Sequence, residues 1–482
     1  MANPKSGGSV LLAEHHSALK VLHTLLADAT AAFPNALGAA ELPATPQAFR
    51  SIYPDVLPRF EAARLASQER YQIAHHLMTA LQQYIFWQDD SGQRPLHEAL
   101  TEPAAPLSLE MHAFDGEAGW QPSLVYQGER WDAARLAEFG ALLVDRGVMT
   151  PDAGAALAWV SEEVLDAGTL RLAGRKIAVL GGGAEMAPTR FWLEAGADVL
   201  WLDTSPPPRS WWEFPGMSGR LYWPAGNADL LVKPREVLAT LNAFADGTPL
   251  DLGLYAYAPG QARELRLAAS MNALVNALAP ELVASVTMLI SPTTPAALSP
   301  HDLAAMRARI EARPAWETIC ARFMLLGRGG GSVAVGDAAT NRSVVAIQGA
   351  SYQAAQYLGK IMMAECWAQH GPLGLAERNP LRVSANTAAI TRTRSLARPV
   401  FAAAFGGAAA FGIETLAPRQ SRRLNGLLAI RDWLHPTLPS PGAVRVHGGI
   451  HTLPYPLGSA LRVAAVIGFA RSPRLLRGLI AK

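Results

Sequence analysis

Three consecutive glycines, Gly181, Gly182 and Gly183, stand between the apolar run KIAVL and a segment of helical pattern, APTRFWLEAG. A glycine turn between a strand and a helix lets the backbone approach a diphosphate, and the N-terminus of the helix supplies unpaired N–H groups. Asp203 ends the next apolar run, 22 residues after Gly181, which suits an acid that binds the adenine ribose hydroxyls of a dinucleotide. The order of these features predicts a nucleotide site.

The glycine pattern matches the dinucleotide fingerprint GxGxxG only in part. Gly181 and Gly183 take its first two positions, Met186 takes the third, and the small Ala187 follows. The same glycines also suit an ordinary strand–turn–helix unit, in which they only permit close packing. Both interpretations stay open from the sequence.

The choice between NAD and NADP depends on the residues after the second strand. The Asp203 carboxylate would repel a 2′-phosphate and so favours NAD, with Thr204 beside it, whereas Arg209 leaves NADP open. Trp211 and Trp212 follow in the insert PPPRSWWEFPG. They would either shield the adenine or anchor the loop.

Periodicity divides the chain into three parts. Residues 1–168 are predicted to be a mainly helical domain, with a helix over 9–33 and a hairpin over 108–127. Over 169–410, short apolar runs alternate with helical segments, which is typical of a parallel sheet covered on both faces. Residues 411–482 are predicted to be a basic, Pro/Gly-rich extension.

Composition argues against several classes of protein. The 482 residues carry 42 Lys+Arg and 40 Asp+Glu, a net charge of +2, which argues against nucleic-acid binding. Cys320 and Cys366 form no CxxC pair, so neither a disulfide framework nor a cysteine zinc site is expected. The histidine pairs at 15–16 and 75–76 lack a carboxylate at metal-ligand spacing, and we predict no metal site.

The N-terminal sequence and the tail bear on location. No long apolar run precedes a small-residue cleavage site, and no apolar stretch reaches spanning length, so we expect a cytoplasmic protein. After Asp432 the chain has no acidic residue, and its arginines are interleaved with Leu, Ile and Phe. The simpler interpretation is a tail packed on the core with solvated arginines. The alternative is peripheral contact with an anionic membrane.

Further segments follow the glycine turn in a recognisable order. They are GNADL, LDLGLYAYAPG, MNALVNAL, VTMLISPTT, YQAAQYLGKIMMAE and LRVSANTAAITRT. Together with KIAVLGGGAEMAP, they resemble the short-chain dehydrogenase/reductase family over somewhat under half of the chain. The resemblance implies an α/β fold with a doubly wound parallel Rossmann sheet, bound NAD(P) and a homo-oligomer. The mainly helical N-terminal domain would be an addition to that family's fold.

The resemblance also assigns roles to individual residues. It implies that Asp229 contacts the adenine and that Lys360 holds the nicotinamide ribose. Asn272 corresponds to the active-site asparagine and Ser291 to the catalytic serine. In the family's glycine motif, however, the middle glycine is replaced here by Glu185.

The family's catalytic tyrosine is missing from its usual position, because Gln356 stands four residues before Lys360. Tyr357 lies three residues before the lysine, roughly on the same helical face, and Tyr352 lies about two turns before it. Either tyrosine could supply the proton for carbonyl reduction, its pKa lowered by the lysine. The candidates for binding the substrate oxygen are Ser291, Thr293 and Ser351. Alternatively, both tyrosines pack in the core and Lys360 only holds the ribose.

Three functional hypotheses follow. The first is an NAD(P)-dependent oxidoreductase with an atypical proton donor, acting on a fairly large apolar carbonyl or alcohol. The added domain and the aromatic insert could wall a deep pocket for such a substrate. The second is a non-redox dehydratase, epimerase or isomerase on the same scaffold. The third is a catalytically degenerate nucleotide-binding or interaction protein, which Gln356 and Glu185 favour.

Overall fold

Short apolar runs form the strands of a central sheet, and longer segments form the helices around it. The computed structural model describes residues 8–475 except 15, 259, 261, 376–378, 397–398 and 438–443. Within this part the strands are β1 (Ser9–Leu12), β2 (Ile85–Asp89), β3 (Gly92–Pro95), β4 (Leu109–Ala113), β5 (Leu124–Tyr126), β6 (Glu129–Trp131), β7 (Lys176–Leu180), β8 (Asp198–Leu202), β9 (Arg220–Pro224), β10 (Leu250–Leu254), β11 (Val283–Ile290), β12 (Ser332–Val335), β13 (Ala338–Asn341) and β14 (Val383–Thr387).

The helices of the described residues surround this sheet and extend beyond it. They are α1 (Ala18–Ala32), α2 (Pro34–Leu37), α3 (Pro46–Ala66), α4 (Arg70–Gln82), α5 (Leu96–Ala99), α6 (Leu136–Asp145), α7 (Pro151–Trp159), α8 (Thr189–Glu194), α9 (Pro234–Ala245), α10 (Arg263–Ala277), α11 (Pro300–Glu311), α12 (Ala315–Arg322), α13 (Ala350–Gln356), α14 (Met363–His370), α15 (Pro399–Ala408), α16 (Pro418–Leu434) and α17 (Leu457–Arg471). A π-helical turn, Tyr357–Met362, joins α13 and α14.

The central sheet has the order β14-β11-β10-β7-β8-β9-β4 in the described part of the chain. All neighbouring pairs from β14 to β9 are parallel, and β4 pairs antiparallel with β9 at one edge. Counted along the chain from β7, the parallel strands have the order 3-2-1-4-5-6, that of a doubly wound sheet. The α/β class and the mostly parallel sheet are therefore confirmed, and the topology is compatible with a Rossmann-like fold.

Successive residues of the parallel strands pack into different cores, as the alternation of side chains in a strand requires. In β7, Ile177 and Val179 belong to the cluster that also contains α6, α7, α8 and α16. Ala178 and Leu180 belong to the cluster with α9, α10, α13 and α14. Burial on both faces explains why these strands are apolar almost throughout.

Residues before the glycine turn pack directly onto the sheet layers. Helices α1, α3 and α4 contribute to the same core as α10, α13 and α14. The predicted hairpin over 108–127 is wrong, because β4 pairs with β9 whereas β5 pairs with β6. The helix predicted over 9–33 begins instead with β1, which pairs with β2. Both β1 and β4 pair with a strand that lies far away in the sequence.

The chain beyond residue 410, predicted to be an extension, contributes α16 to the sheet layers. The Asp432 carboxylate of this helix accepts hydrogen bonds from Ser384 Oγ at 2.6 Å and Asn386 Nδ2 at 3.0 Å in β14. Trp433 Nε1 donates to Thr287 Oγ1 in β11 at 2.7 Å. Helices α15 and α17 pack against each other and form a separate cluster with α12.

Candidate functional site

The glycine turn follows β7 at the carboxyl edge of the sheet. Gly181 has φ +89°, and a β-carbon on it would overlap the backbone of Ala256 after β10, so glycine is required there. Gly182 is buried, and its β-carbon would lie 2.6 Å from the indole of Trp201. Gly183 is exposed. The turn therefore lies where the first and fourth parallel strands diverge, the position of the ligand crevice in doubly wound sheets.

Asp203 lies beside this turn. Its Oδ2 accepts a hydrogen bond from the Gly183 N–H at 2.9 Å, and the hydroxyl of exposed Thr204 donates to its Oδ1 at 3.3 Å. Met186 is partly buried and packs against the hydrophobic cluster of α8 and α16. The structure thus brings the predicted acid to the glycines, while Met186 serves the core.

Asp229 lies after β9, close to the same edge. The N–H of Ala228 donates to the carbonyl oxygen of Asp203 at 2.8 Å. The Asp229 Oδ1 accepts from the N–H of Leu231 at 2.9 Å. The predicted adenine-side residues therefore gather at the ends of β7, β8 and β9.

These residues fit an adenine dinucleotide better at the ribose end than at the diphosphate end. Asp203 presents a carboxylate beside exposed Gly183, whose N–H it already accepts, and a carboxylate at this place suits ribose hydroxyls. Helix α8 begins only at Thr189 and has six residues, so its N-terminus does not directly follow the glycines. Glu185 follows the turn, and its charge opposes the lowering of the pKa of Arg422 in α16 by burial. The N–H groups of Gly181, Gly183 and Ala184 already donate within the protein, so a diphosphate here would depend on Arg422 and not on a helix N-terminus.

The aromatic insert between β8 and β9 anchors its own loop. Trp211 packs edge-on against Trp201, with ring centroids 5.4 Å apart. Trp212 stacks on His112 of β4 at 5.2 Å and contacts Trp223 of β9 at 5.3 Å. Both tryptophans are thus engaged with the sheet edge, which favours the anchoring interpretation over an adenine shield.

A second polar cluster lies at the carboxyl end of β11. Ser291 follows this strand, and its Oγ lies 2.7 Å from Thr293 Oγ1, which donates to Gln348 Oε1 at 2.7 Å. Tyr352 forms a side-chain hydrogen bond with Ser291. The N–H of Ser291 donates to Gln356 Oε1 at 2.9 Å. The glutamine at the family's tyrosine position therefore holds the backbone of Ser291 in place.

Lys360 and Glu264 form an ionisable pair beside this cluster. The Lys360 Nζ donates to the carbonyl oxygen of Leu289 at 2.6 Å. Burial lowers the pKa of Lys360 to about 8, and the charge of Glu264 opposes this shift. Burial raises the pKa of Glu264 to about 7, opposed by a hydrogen bond with Tyr257 and by the charge of Lys360. Both groups can therefore exchange protons near neutral pH.

The pKa of Tyr352 departs in the direction opposite to that implied by the resemblance. Burial raises the pKa of Tyr352 above its ordinary value, while its hydrogen bond with Ser291 opposes the shift. The nearby Tyr257 and Glu264 raise this pKa further. The tyrosine therefore keeps its proton in the free protein, because burial and, to a smaller extent, its ionisable neighbours disfavour a phenolate.

Tyr357 is not brought to this cluster. It is fully buried, and its hydroxyl donates to Glu61 Oε2 of α3 at 2.7 Å. Arg64 binds the same Glu61 at 2.7 Å and Glu365 of α14 at 2.7 Å. Burial and the charge of Glu61 raise the pKa of Tyr357 far above its ordinary value. The structure gives this tyrosine a partner in the N-terminal helices, and not a place beside Ser291.

The π-helical turn changes which residues of this helix share a face with Lys360. In a regular α-helix, eight residues would rotate Lys360 by about 80° relative to Tyr352. A π-turn accommodates one additional residue, which is worth about 100° of rotation and removes most of that offset. This rotation brings Tyr352 and Lys360 toward one face of the helix. Tyr357, at the start of the π-turn, faces α3.

Asn272 supports the same turn. It is buried in α10, and its Nδ2 donates to the carbonyl oxygen of Gly359 at 2.9 Å. Position 359 needs a glycine, since a β-carbon added there would lie 2.6 Å from the Cβ of Ala268. Asn272 therefore positions the segment that carries Lys360.

Sequence reasoning missed Glu264 and Tyr257. Tyr257 follows β10 and is 51% exposed, so it connects the cluster with solvent. Glu264 lies in the first turn of α10. Glu264 could have been found from its place in the first turn of the helix after the fourth parallel strand. The chain leaves that strand at the carboxyl edge of the sheet, so the first helical turn lies close to this edge.

Among the described residues, no group of three or more His, Cys, Asp or Glu side chains could hold a metal ion. No protein-family model matches the sequence, and no curated protein matches it. The fold and site thus define an α/β protein with a mostly parallel sheet and two polar clusters at one edge.

Proposed function

We propose that the protein is an NAD(P)-dependent oxidoreductase that acts on an apolar carbonyl or alcohol, with a short-chain dehydrogenase-like arrangement. One observation carries the proposal. The turn with Gly183 and Asp203 and the cluster with Ser291 and Tyr352 occupy the same carboxyl edge of a 3-2-1-4-5-6 sheet. A dinucleotide bound across that edge has its adenosine at one cluster and its nicotinamide near the other.

The residues of the second cluster have the roles that carbonyl reduction needs. Bound NAD(P)H supplies the hydride. Tyr352, held by Ser291, donates the proton to the substrate oxygen and recovers it from Glu264. The carboxyl of Glu264, with a pKa of about 7, regains a proton from solvent beside exposed Tyr257. The charge of Lys360 acts on Glu264, so the two groups together set the protonation of this route.

Tryptophan fluorescence tests nucleotide binding directly. We expect NADH or NADPH to quench the emission of the whole protein, and Asp203→Ala to weaken binding by about tenfold through loss of the ribose contacts. Gly183→Val should also weaken it, because the new side chain meets Trp201 and Asp203 at 3.1 and 3.2 Å. Gly38→Val is the control, since a β-carbon there meets no atom within 4 Å.

The outcomes separate binding from catalysis. If neither nucleotide binds at millimolar concentration, the proposal is wrong and a degenerate role replaces it. If nucleotide binds, long-chain aldehydes and alcohols are screened by nicotinamide absorbance. Lys360→Ala and Tyr352→Phe should then abolish turnover and leave nucleotide binding largely intact.

One observation favours a second candidate, a non-redox acid–base enzyme on the same scaffold. Glu264 and Lys360 have pKa values of about 7 and about 8, which suits proton abstraction and return at neutral pH. Such an enzyme would retain its nucleotide through purification and show no net change in nicotinamide absorbance during turnover. Net oxidation or reduction of the nucleotide during turnover would favour the oxidoreductase over the non-redox enzyme.

A further inference from the structure

Helices α15 and α17 form an antiparallel pair that meets through small residues. A β-carbon on Gly407 would overlap the carbonyl oxygen of Ala464, and one on Gly468 would overlap that of Ala403. Helix α15, PVFAAAFGGA, has no polar side chain. Small residues four apart that bring two apolar helices into backbone contact are typical of helix pairs in lipid.

The outer side of this pair is also apolar. Val466 in α17 is 69% exposed and Val400 in α15 is 39% exposed. The rings of Phe401 and Phe405 stack at 6.3 Å along α15, and both are only partly buried. A helix that is apolar on all sides ordinarily lies in a protein core or in lipid. Here one side faces outward.

The loop after α12 extends the apolar surface. Phe323, Met324 and Leu325 are 68%, 54% and 57% exposed, three large apolar side chains in succession. The loop adjoins the first turn of α17, because a β-carbon on Gly327 would lie 2.7 Å from Ser459 Oγ. We refer to residues 323–325 together with α15 and α17 as the α15–α17 surface.

The charged residues in the three segments that carry the α15–α17 surface are all positive. The sequences 318–328, 392–410 and 457–475 contain no Asp or Glu. The exposed arginines in them are Arg322, Arg328, Arg392, Arg394, Arg462, Arg471 and Arg474, of which Arg394 lies 3.9 Å from Glu185. A second copy of the chain on this surface would bring arginines against arginines, whereas anionic headgroups would neutralise them.

We propose that the α15–α17 surface docks on an anionic lipid bilayer, with its apolar side chains in the headgroup region and its arginines on acidic headgroups. With 10 and 15 residues, α15 and α17 are shorter than the ~20 residues that span a bilayer. In the described residues no helix combines the length and hydropathy for crossing a membrane. The helices therefore lie along the interface. This inference is independent of nucleotide binding.

Vesicle co-sedimentation of the full chain tests the proposal. We expect binding to phosphatidylcholine vesicles that contain phosphatidylglycerol, and weaker binding to phosphatidylcholine alone or at high salt. Combined Phe323→Ser and Val466→Ser should weaken binding by about tenfold, because both side chains leave water on docking. The matched control is Met111→Ser with Val125→Ser, at 55% and 54% exposure on strands β4 and β5, away from this surface.

Charge reversal gives the second arm. Arg462→Glu should weaken binding to anionic vesicles by about tenfold, and Arg50→Glu, exposed on α3, should not. Equal binding of the apolar double variant and the wild type would refute the proposal. So would a dimer in light scattering that Val466→Ser dissociates, with no sedimentation of the wild type, because the occupant would then be a second copy.

Discussion

The hydroxyl of Tyr357 donates a hydrogen bond to Glu61 Oε2 at 2.7 Å, across 296 positions of sequence. The same Glu61 accepts from Arg64, which also binds Glu365 on the helix that continues from Tyr357. This network is buried and joins α3 to the helix that carries Tyr352 and Lys360. A tyrosine three residues before Lys360 is therefore a structural link to the N-terminal helices.

Tyr357→Phe should lower the free energy of unfolding by about 1–2 kcal/mol, because Glu61 loses a buried donor. Nucleotide binding should not change, since the hydroxyl faces α3. Urea unfolding and the fluorescence titration measure the two quantities. Loss of turnover in Tyr357→Phe without loss of stability would return Tyr357 to the catalytic residues.

Arg64→Met should destabilise the protein by about 3–5 kcal/mol, because it leaves Glu61 and Glu365 buried without their shared cation. Arg59→Met on the same helix is the control. Its partner Glu41 has a side chain that is 74% exposed, so about 1 kcal/mol or less is expected. Urea unfolding of both variants at neutral pH checks the difference, and similar losses would contradict the buried network.

Two glycines of α17 should respond oppositely to alanine. Gly468→Ala should destabilise by about 1–3 kcal/mol or more, because its β-carbon would overlap the carbonyl oxygen of Ala403. Gly458→Ala meets no atom within 4 Å and should stabilise by about 0.5–1 kcal/mol through helix propensity. Thermal unfolding measures both. A stabilising Gly468→Ala would show that α15 and α17 are not in backbone contact.

Two stacked buried histidines should make the protein acid-sensitive. The rings of His447 and His451 lie 4.7 Å apart. Burial lowers the pKa of His447 to about 4 and that of His451 well below its ordinary value. The titratable and charged groups around them are Asp302, Arg445, His301 and Arg309. Asp302 opposes the shift of His447, since its Oδ1 lies 3.6 Å from His447 Nε2.

The sign follows from proton binding. Between pH about 6.5 and about 4 the unfolded chain binds more protons at these histidines than the folded protein, so stability falls as the pH is lowered. Within this range, each histidine should lower the free energy of unfolding by about 1.4 kcal/mol for each unit by which the pH falls. Urea unfolding at pH 7 and pH 5 should show a smaller loss of unfolding free energy between the two pH values for His451→Phe than for the wild type. The control His97→Asn, at an exposed position, should leave the loss unchanged.

Glu264→Gln should move the titration of Lys360. The negative charge of Glu264 raises the pKa of Lys360 against burial, so its removal should bring this pKa further below about 8. Acylation of each lysine by acetic anhydride, followed by mass spectrometry across pH, reports the titration. Exposed Lys20 serves as the internal control. An unchanged profile for Lys360 would mean that the two groups are not coupled.

Much of the central sheet could be predicted from the sequence. The runs at 176–180, 198–202 and 250–254 are apolar on both faces apart from Lys176, Asp198 and Asp251, and such runs in alternation with helices are typical of covered parallel sheets. The glycines after β7 and the acid after β8 were found for the same local reason, because spacing along the chain fixes which residues reach one sheet edge. These features depend on neighbours in sequence.

The sequence by itself thus determined the α/β class and the glycine turn with Asp203, and the family resemblance implied that Ser291 lies near the helix of Lys360. Only the tertiary structure decided the partners of groups far apart in the chain. The place of Tyr357 depends on a π-turn and on Glu61, and the edge position of β4 depends on β9. The charge of Glu264 acts on Lys360 only when α10 packs against that turn. Helical spacing predicts which face a residue occupies only while the helix is regular, and it carries no information about which distant charge lies opposite that face.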